Sequence, residues 1–466
     1  MPDPDGRQDH EPAQPREQDT HSLTIGHALF GLALVSAILG YGVLASSGTG
    51  QTDVLILSIT SFRADHLTCY GYHRNTTPNI CAIADDGIRY TDANAQQYWT
   101  TPSEASIQTG LYPDAHGLLL IPSPTRSRTM ADTTTLPETL GAHGYDTALH
   151  TLIDPWTYPQ DTGLLDGYAT TRRENTPLEE PARIARTLKR DDRSFIYVHS
   201  KQLHRPYTTP RSSESNYSAW YDGPLRRIGG YSDLPRGLAA NISGTGEGHI
   251  IDRGSTELQL DQGDIRYLRD EYDDTVRHID HRIGELVHRL REQGTYESTL
   301  IIITAPHGES LGEPYRGDGG FKHRTGYEEV SHVPLIIKPP GNPGPTVVDE
   351  QVQLIDIYPT VLDVLNIPVP SVVQGHSILP PTPDRDYTFM GRATIMNRSW
   401  KLFGPRGQAD DPILYNMTAP QDERHDVSHQ YPRITAALQA AMKDWQEQNR
   451  LLHAQLTGRP PPLPAE

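Results

Sequence analysis

Tyr98-Trp99-Thr100-Thr101-Pro102-Ser103-Glu104-Ala105-Ser106-Ile107-Gln108-Thr109-Gly110 reads as a hydroxyl group set at the mouth of a helix. Thr101 has the chemistry of an N-cap, and Glu104 three residues on completes a capping box. Pro102 then falls at the first helical position, where a missing N–H costs nothing, and Gly110 is a natural stop. Thr100 is thereby expected just outside the helix, facing free N–H groups and the positive dipole end that suit a sulfate or phosphate. A capped helix following a loop is the plainer reading of the same residues. The order of the segments around this one decides between the two.

Working outward, the chain alternates strands and helices. Asp53-Val-Leu-Ile-Leu-Ser-Ile59 and Ser194-Phe-Ile-Tyr-Val-His199 are near-continuous apolar runs of the kind buried in parallel sheets. Further strands are expected at 87–91, 146–150, 300–304 and 334–338. Helices are expected at 79–87, 136–143 and 356–365, and over Tyr267–Gln293, where Leu268, Tyr272, Val276, Ile279, Ile283, Leu286 and Leu290 recur at helical spacing. This pattern predicts an α/β fold with a mostly parallel sheet. Residues 210–262 lack periodicity and read as a surface excursion. Residues 386–450 read as a strand or two followed by a helix from Pro432 to Asn449. The expected organisation is a polar N-terminus (1–22), a membrane helix (23–45), a linker (46–51), a main domain (52–380), a small α+β subdomain (381–450) and a Pro-rich tail (451–466).

Leu23–Ala45 contains no Asp, Glu, Lys or Arg and is long enough to span a bilayer, which takes roughly 20 residues. Arg7 and Arg16 precede it and the next basic residue is Arg63, which orients the main domain to the outside. His27, the ionisable group within the segment, is expected near an interface. The net charge of -18 repels polyanions, so nucleic acid is excluded as a partner. Acceptor sequons at Asn75, Asn216, Asn241, Asn397 and Asn416 agree with an external location. Cys69 and Cys81 lie twelve residues apart and could pair, although two small buried thiols is the preferred reading.

Chemistry in such folds collects at the carboxyl ends of strands, where this chain places Thr60-Ser61-Phe62-Arg63, His199–His204 and Ala305-Pro306-His307, with His323 shortly after. In this order, with Trp99-Thr100-Thr101-Pro102-Ser103, Tyr327–Ile337, Asp356–Asp363 and Leu414-Tyr415-Asn416, these segments resemble the sulfatase-like branch of the alkaline phosphatase superfamily over residues 52–450. The resemblance implies a mixed sheet between helices, a four-stranded C-terminal sheet, and in-line attack on a sulfate or phosphate ester held on a divalent metal (Ca, Mg, Mn or Zn). It casts Thr100 as nucleophile, with His204 and Lys322 assisting. It casts Arg63, His199 and His323 as substrate contacts and His307 as a metal ligand.

The sequence departs from that pattern where charge matters most. Thr60, Ser61 and Pro306 stand where the family has Asp, and Glu104 stands where it has Arg. A hard cation takes its affinity from carboxylate number and charge, and two hydroxyls and a proline offer none. The expectation is a membrane-anchored protein with a degenerate metal site, reused for binding an anionic ester or glycan. The alternative is an active ester hydrolase or transferase with Thr100 as nucleophile and Asp65, Glu309 or Asp318 as replacement ligands. A zinc held by His199, His204, His307 and His323 is a third arrangement, and needs the four rings to converge.

Overall fold

The run Val54–Ile59 (β1) is buried on both faces and lies at the centre of an eight-stranded sheet. The other strands are Ile88–Tyr90 (β2), Asp146–Thr151 (β3), Thr170–Arg173 (β4), Ser194–Ser200 (β5), Leu300–Thr304 (β6), Leu335–Lys338 (β7) and Thr346–Val348 (β8), in the order β8-β2-β7-β6-β1-β5-β3-β4. This computed structural model describes residues 52–459 except 120–129, 153–157, 175, 189–192, 205–206, 208–216, 224, 226–238, 243–247, 252–256, 314–320, 324–325, 405–410 and 419–422. The expected polar N-terminus, membrane helix and linker lie outside the described residues. Among the described residues no helix is long and apolar enough to cross a membrane.

The strands from β6 through β4 run parallel, β7 is antiparallel to both its neighbours, and β8 pairs parallel with β2. The sheet is therefore mixed and mostly parallel, as the apolar runs indicate. Register fixes where the chemistry can gather. Ser58 of β1 sits opposite His199 of β5 and Thr304 of β6, so the loops that follow all three strands leave from one edge.

Pro78–Asp85 (α1), Thr100–Thr109 (α2), Gln262–Gln293 (α3) and Ile357–Val364 (α4) are the helices that matter here. The first five residues of α3 show no apolar period, which is why periodicity alone starts it at Tyr267. Its N-terminus is set instead by a capping box between Asp261 and Asp264. Within the expected excursion at 210–262, Ala239–Ile242, Gly248–Ile251 and Glu257–Leu260 form an antiparallel three-stranded sheet. Aperiodic composition concealed these short strands.

Thr388–Met390 (β9), Thr394–Met396 (β10), Trp400–Phe403 (β11) and Ile413–Asn416 (β12) form an antiparallel meander. Helix Pro432–Thr457 (α5) covers it, with Leu438, Met442 and Trp445 packed on Phe389, Ile395, Leu402 and Leu414. α5 runs two turns past Asn449, into the stretch expected as tail, because His453 finds a buried berth donating to the Ala115 carbonyl at 3.0 Å. The reading of Cys69 and Cys81 as free thiols is also corrected. They form a disulfide with a Cα separation of 5.5 Å. The 3-10 turn Thr68–Tyr70 and the start of α1 fold the eleven intervening residues back on themselves.

Candidate active site

α2 supplies the hydroxyl, but not by the expected capping. Thr100 is the first residue of the helix, Trp99 is the N-cap, and no side chain caps it. Glu104 has left the helix mouth altogether. It is fully buried and accepts hydrogen bonds from Ser58 Oγ (2.5 Å), Tyr158 Oη (2.8 Å) and Tyr197 Oη (2.5 Å). Burial raises its pKa, and the three hydroxyls oppose that rise. Three directed donors in a dry interior satisfy a carboxyl better than a backbone N–H at the helix end. Gly110 does end the helix, in the left-handed conformation at φ 67°.

The Thr100 hydroxyl lies 3.1 Å from His307 Nε2. His307 Nδ1 is 2.7 Å from the Gly308 carbonyl, which only accepts, so Nδ1 carries a proton and Nε2 of the neutral ring receives one from Thr100. Burial drives the His307 pKa well below its ordinary value, and the neighbouring His323 imidazole and the charge of Lys201 act in the same direction. The ring is accordingly neutral near neutral pH. His323 Nδ1 donates to the Tyr98 carbonyl at 2.7 Å, which leaves its Nε2 to accept from His204 Nε2 at 3.1 Å. His307 and His323 stack with centroids 4.2 Å apart, and His323 meets Trp99 edge-on at 5.2 Å. Thr100, His204, His307 and His323 therefore form one cluster at the mouth of α2. Lys322 precedes His323 on a two-residue strand paired with Ser310–Leu311, and its side chain lies outside the described residues.

The other two expected contacts sit elsewhere. His199 is fully buried between Thr60 Oγ1 (2.7 Å from Nε2) and Thr151 Oγ1 (2.9 Å from Nδ1), with Glu104 3.7 Å away. Arg63 is 7% exposed. It forks onto Asp65 at 2.9 and 2.7 Å and reaches Glu313 at 2.6 Å and the Glu309 carbonyl at 3.1 Å. Its guanidinium braces the loop after β1 against the loop after β6.

That loop is unusually constrained. Ser61 has φ 66°, a left-handed conformation costing roughly 1–2 kcal/mol for a residue with a side chain. Three contacts hold it: Tyr272 Oη donates to the Ser61 carbonyl at 2.7 Å and accepts from Arg63 N at 3.0 Å, and Ser61 Oγ donates to Glu309 at 2.6 Å. Sequence reasoning missed Ser61–Glu309 as a pair and missed Tyr158, Tyr197 and Lys201. Lys201 carried a readable signal, its place directly after β5.

A divalent cation does not fit these residues. Thr60 is committed to His199 and Ser61 to Glu309, and Pro306 has no side-chain ligand atom. Asp65 is tied to Arg63, and Asp318 lies outside the described residues. Among the described residues no group of three or more His, Cys, Asp or Glu is placed to hold a metal. His199 points into the Thr60–Thr151 pair rather than toward His204, His307 and His323, so the four-histidine arrangement does not form.

A mixed α/β sheet with a helix-mouth hydroxyl and imidazoles from successive strand ends defines an alkaline-phosphatase-superfamily protein. Residues 52–367 match the family described as Sulfatase, and the chain belongs to that family. It is 29% identical over 279 residues to arylsulfatase K of Bos taurus, covering 53% of this chain and 50% of that one. It is 22% identical over 405 residues to an N-acetylglucosamine-6-O-sulfatase of Bacteroides thetaiotaomicron, covering 71% of each. The chain spans about half the length of the arylsulfatase K sequences it matches. Among solved structures, a phosphonate monoester hydrolase from Silicibacter pomeroyi superposes with a TM-score of 0.66 at 20% identity, covering 87% of this chain and 97% of that one. A protein in complex with its substrate D-glucosamine-2-N,6-O-disulfate superposes with a TM-score of 0.63 at 19% identity, covering 86% and 98%. These two likenesses concern the fold.

Proposed function

We propose that this protein is a membrane-anchored member of the sulfatase family that binds an anionic ester, of the sulfated-glycan class, without metal-dependent hydrolysis. One observation carries the reading. The side chains standing at the family's acidic metal positions are uncharged, and their hydroxyls are spent on His199 and Glu309. Without a metal, the charge that develops on an ester in flight loses a partner worth several kcal/mol. What remains suits binding. α2 presents N–H groups at its N-terminus, His323 stacks on the His307 ring that meets Thr100 and bonds to His204, and the charge of Lys201 is felt at His307.

A second reading is favoured by the hydrogen bond from Thr100 to neutral His307. A hydroxyl that already donates to an imidazole has a general base without a metal, so slow chelator-resistant ester cleavage or transfer is its signature. Metal analysis and turnover of the purified full chain separate the readings. The binding reading requires no stoichiometric divalent metal and no release of sulfate or phosphate, and a Thr60→Asp, Pro306→Asp variant that gains metal. Chelator-resistant turnover abolished by Thr100→Ala would establish the second reading. Chelator-sensitive turnover by a metal-loaded wild type would overturn both.

For location, the apolar segment 23–45 supports an anchor, and the Cys69–Cys81 disulfide suits an oxidising compartment. The full chain is expected to stay with membranes through alkaline carbonate extraction; release into the supernatant would refute the anchor.

A further inference from the structure

A cavity of about 400 Å³ lies against α3, within the roughly 300–1,000 Å³ typical of small-molecule sites. α3 contributes Arg266, Arg269, Asp270 and Asp273, spaced so that they share one helix face. The facing wall is His66 and Tyr72, from the segment after β1, with ring centroids 4.5 Å apart. Leu311 and Glu313 close one side. Leu311 belongs to the short ribbon whose other strand leads directly into His323, beside Thr100. Cavity and candidate active site thus share a structural element.

Formal charge in the lining balances, three arginines against three carboxylates, yet the available valences do not. Each carboxylate oxygen already has a donor. Asp273 takes His66 Nδ1 (2.6 Å) on one oxygen, and Tyr72 Oη (2.6 Å) and Arg74 (2.7 Å) on the other. Asp270 takes Arg74 (2.6 Å) and Trp220 Nε1 (2.6 Å). Glu313 takes Arg63 (2.6 Å) and the Leu311 N–H (2.7 Å).

The cations are less committed. Arg269 gives Nε and Nη2 to the Leu311 and Gly312 carbonyls, both at 2.8 Å, and its charge acts on Glu313 without a hydrogen bond to that carboxylate. The Arg266 side chain is 64% exposed, lies over the Trp220 ring with Cζ 4.7 Å from the centroid, and stands 3.7 Å from an Asp270 oxygen that Trp220 already occupies, so its guanidinium keeps N–H donors to spare. With Nδ1 donating to Asp273, the neutral His66 ring has Nε2 left as an acceptor for a sugar hydroxyl. Such a pocket is donor-rich despite its balanced formal charge. Its volume exceeds what a lone sulfate or phosphate needs and admits a sugar ring with its acidic substituent.

We infer that this cavity is a second subsite for the proposed glycan ligand, taking an acidic sugar residue adjacent to the one whose ester group lies at Thr100. Arg266 and Arg269 grip the residue's carboxylate or sulfate, and Tyr72 and His66 flank the ring. The assignment rests on the functional reading above and adds to it the requirement for a neighbouring acidic sugar.

Calorimetric titration of the full chain with a heparin-derived disaccharide, a uronate linked to a sulfated glucosamine, tests it, with inorganic sulfate as the single-site probe. Arg266→Ala and Arg269→Gln are each expected to weaken the disaccharide about tenfold, the worth of one charge-assisted hydrogen bond. The inorganic-sulfate site at Thr100 should keep its wild-type affinity in both variants. Reducing the uronate carboxyl should erase the difference between wild type and variants if the carboxylate is the gripped group, and removing the sulfate should do so if the sulfate is. Arg266 is largely exposed, so its variant is decisive even if Arg269→Gln fails to fold by circular dichroism. Disaccharide affinity unchanged in Arg266→Ala would overturn the subsite while leaving the functional reading standing. A wild type that binds neither probe would overturn that reading and the subsite together.

Discussion

Glu104 shows how one residue can carry two incompatible local signals. Three residues after a threonine it has the spacing of a capping box, yet it lies buried under α2 among Ser58, Tyr158 and Tyr197. Its buried carboxyl titrates above the ordinary value of 4.5, so the folded state holds this proton more tightly than the unfolded chain. The sign follows from linkage: stability from this group is complete below pH 4.5 and is lost as pH rises through the folded-state value. Glu104→Gln is therefore expected to flatten the decline of the urea midpoint above pH 4.5, and an unchanged pH profile would refute the assignment. Glu104→Ala, which strands three buried hydroxyls, is expected to cost on the order of 3 kcal/mol or more. The metal-loop substitutions act at the same scale. Thr60 and Ser61 were readable as missing charge from sequence, whereas their hydrogen-bond partners, His199 and Glu309, lie 139 and 248 positions away.

At the scale of elements, the strands and helices legible in sequence were those with a strong period or a continuous apolar run, such as β1, β5, β6 and the body of α3. The start of α3 and the end of α5 were less legible, because a polar first turn and a late tertiary contact set them. The C-terminal meander depends on a contact no local pattern shows. Lys401 of β11 is fully buried, with Nζ 2.9 Å from Glu423, 3.2 Å from Glu328 and 2.9 Å from Ser331 Oγ. This clamp joins β11 to the segment that precedes β7. Lys401→Met is expected to destabilise the protein by about 3–5 kcal/mol, since it leaves the buried Glu423 carboxylate without its cation. Equilibrium unfolding measures this, and a loss under about 1 kcal/mol would mean the meander docks through its apolar face alone, the scale of a surface ion pair.

Across the whole molecule, the Cys69–Cys81 bridge closes a short loop between β1 and α1, next to the segment carrying Arg63, Asp65 and His66. Loop-closure entropy for a ring of this size amounts to about 3 kcal/mol. Reduction, or Cys69→Ser with Cys81→Ser, is accordingly expected to lower the thermal midpoint, and a midpoint indifferent to reductant would count against the bridge. The sequence by itself determined the α/β class, the order of the strand-end motifs, the absence of acids at three positions and the apolar segment at 23–45. Each is written in local composition, spacing or order. Only the tertiary structure decided that the cysteines pair, that Glu104 leaves the helix mouth, that His199 parts company with His204, His307 and His323, and that the face of α3 meets His66 and Tyr72 to enclose a cavity. Those outcomes depend on which distant groups share a dry interior, where an unpaired polar atom is costly and a partner from any part of the chain will serve.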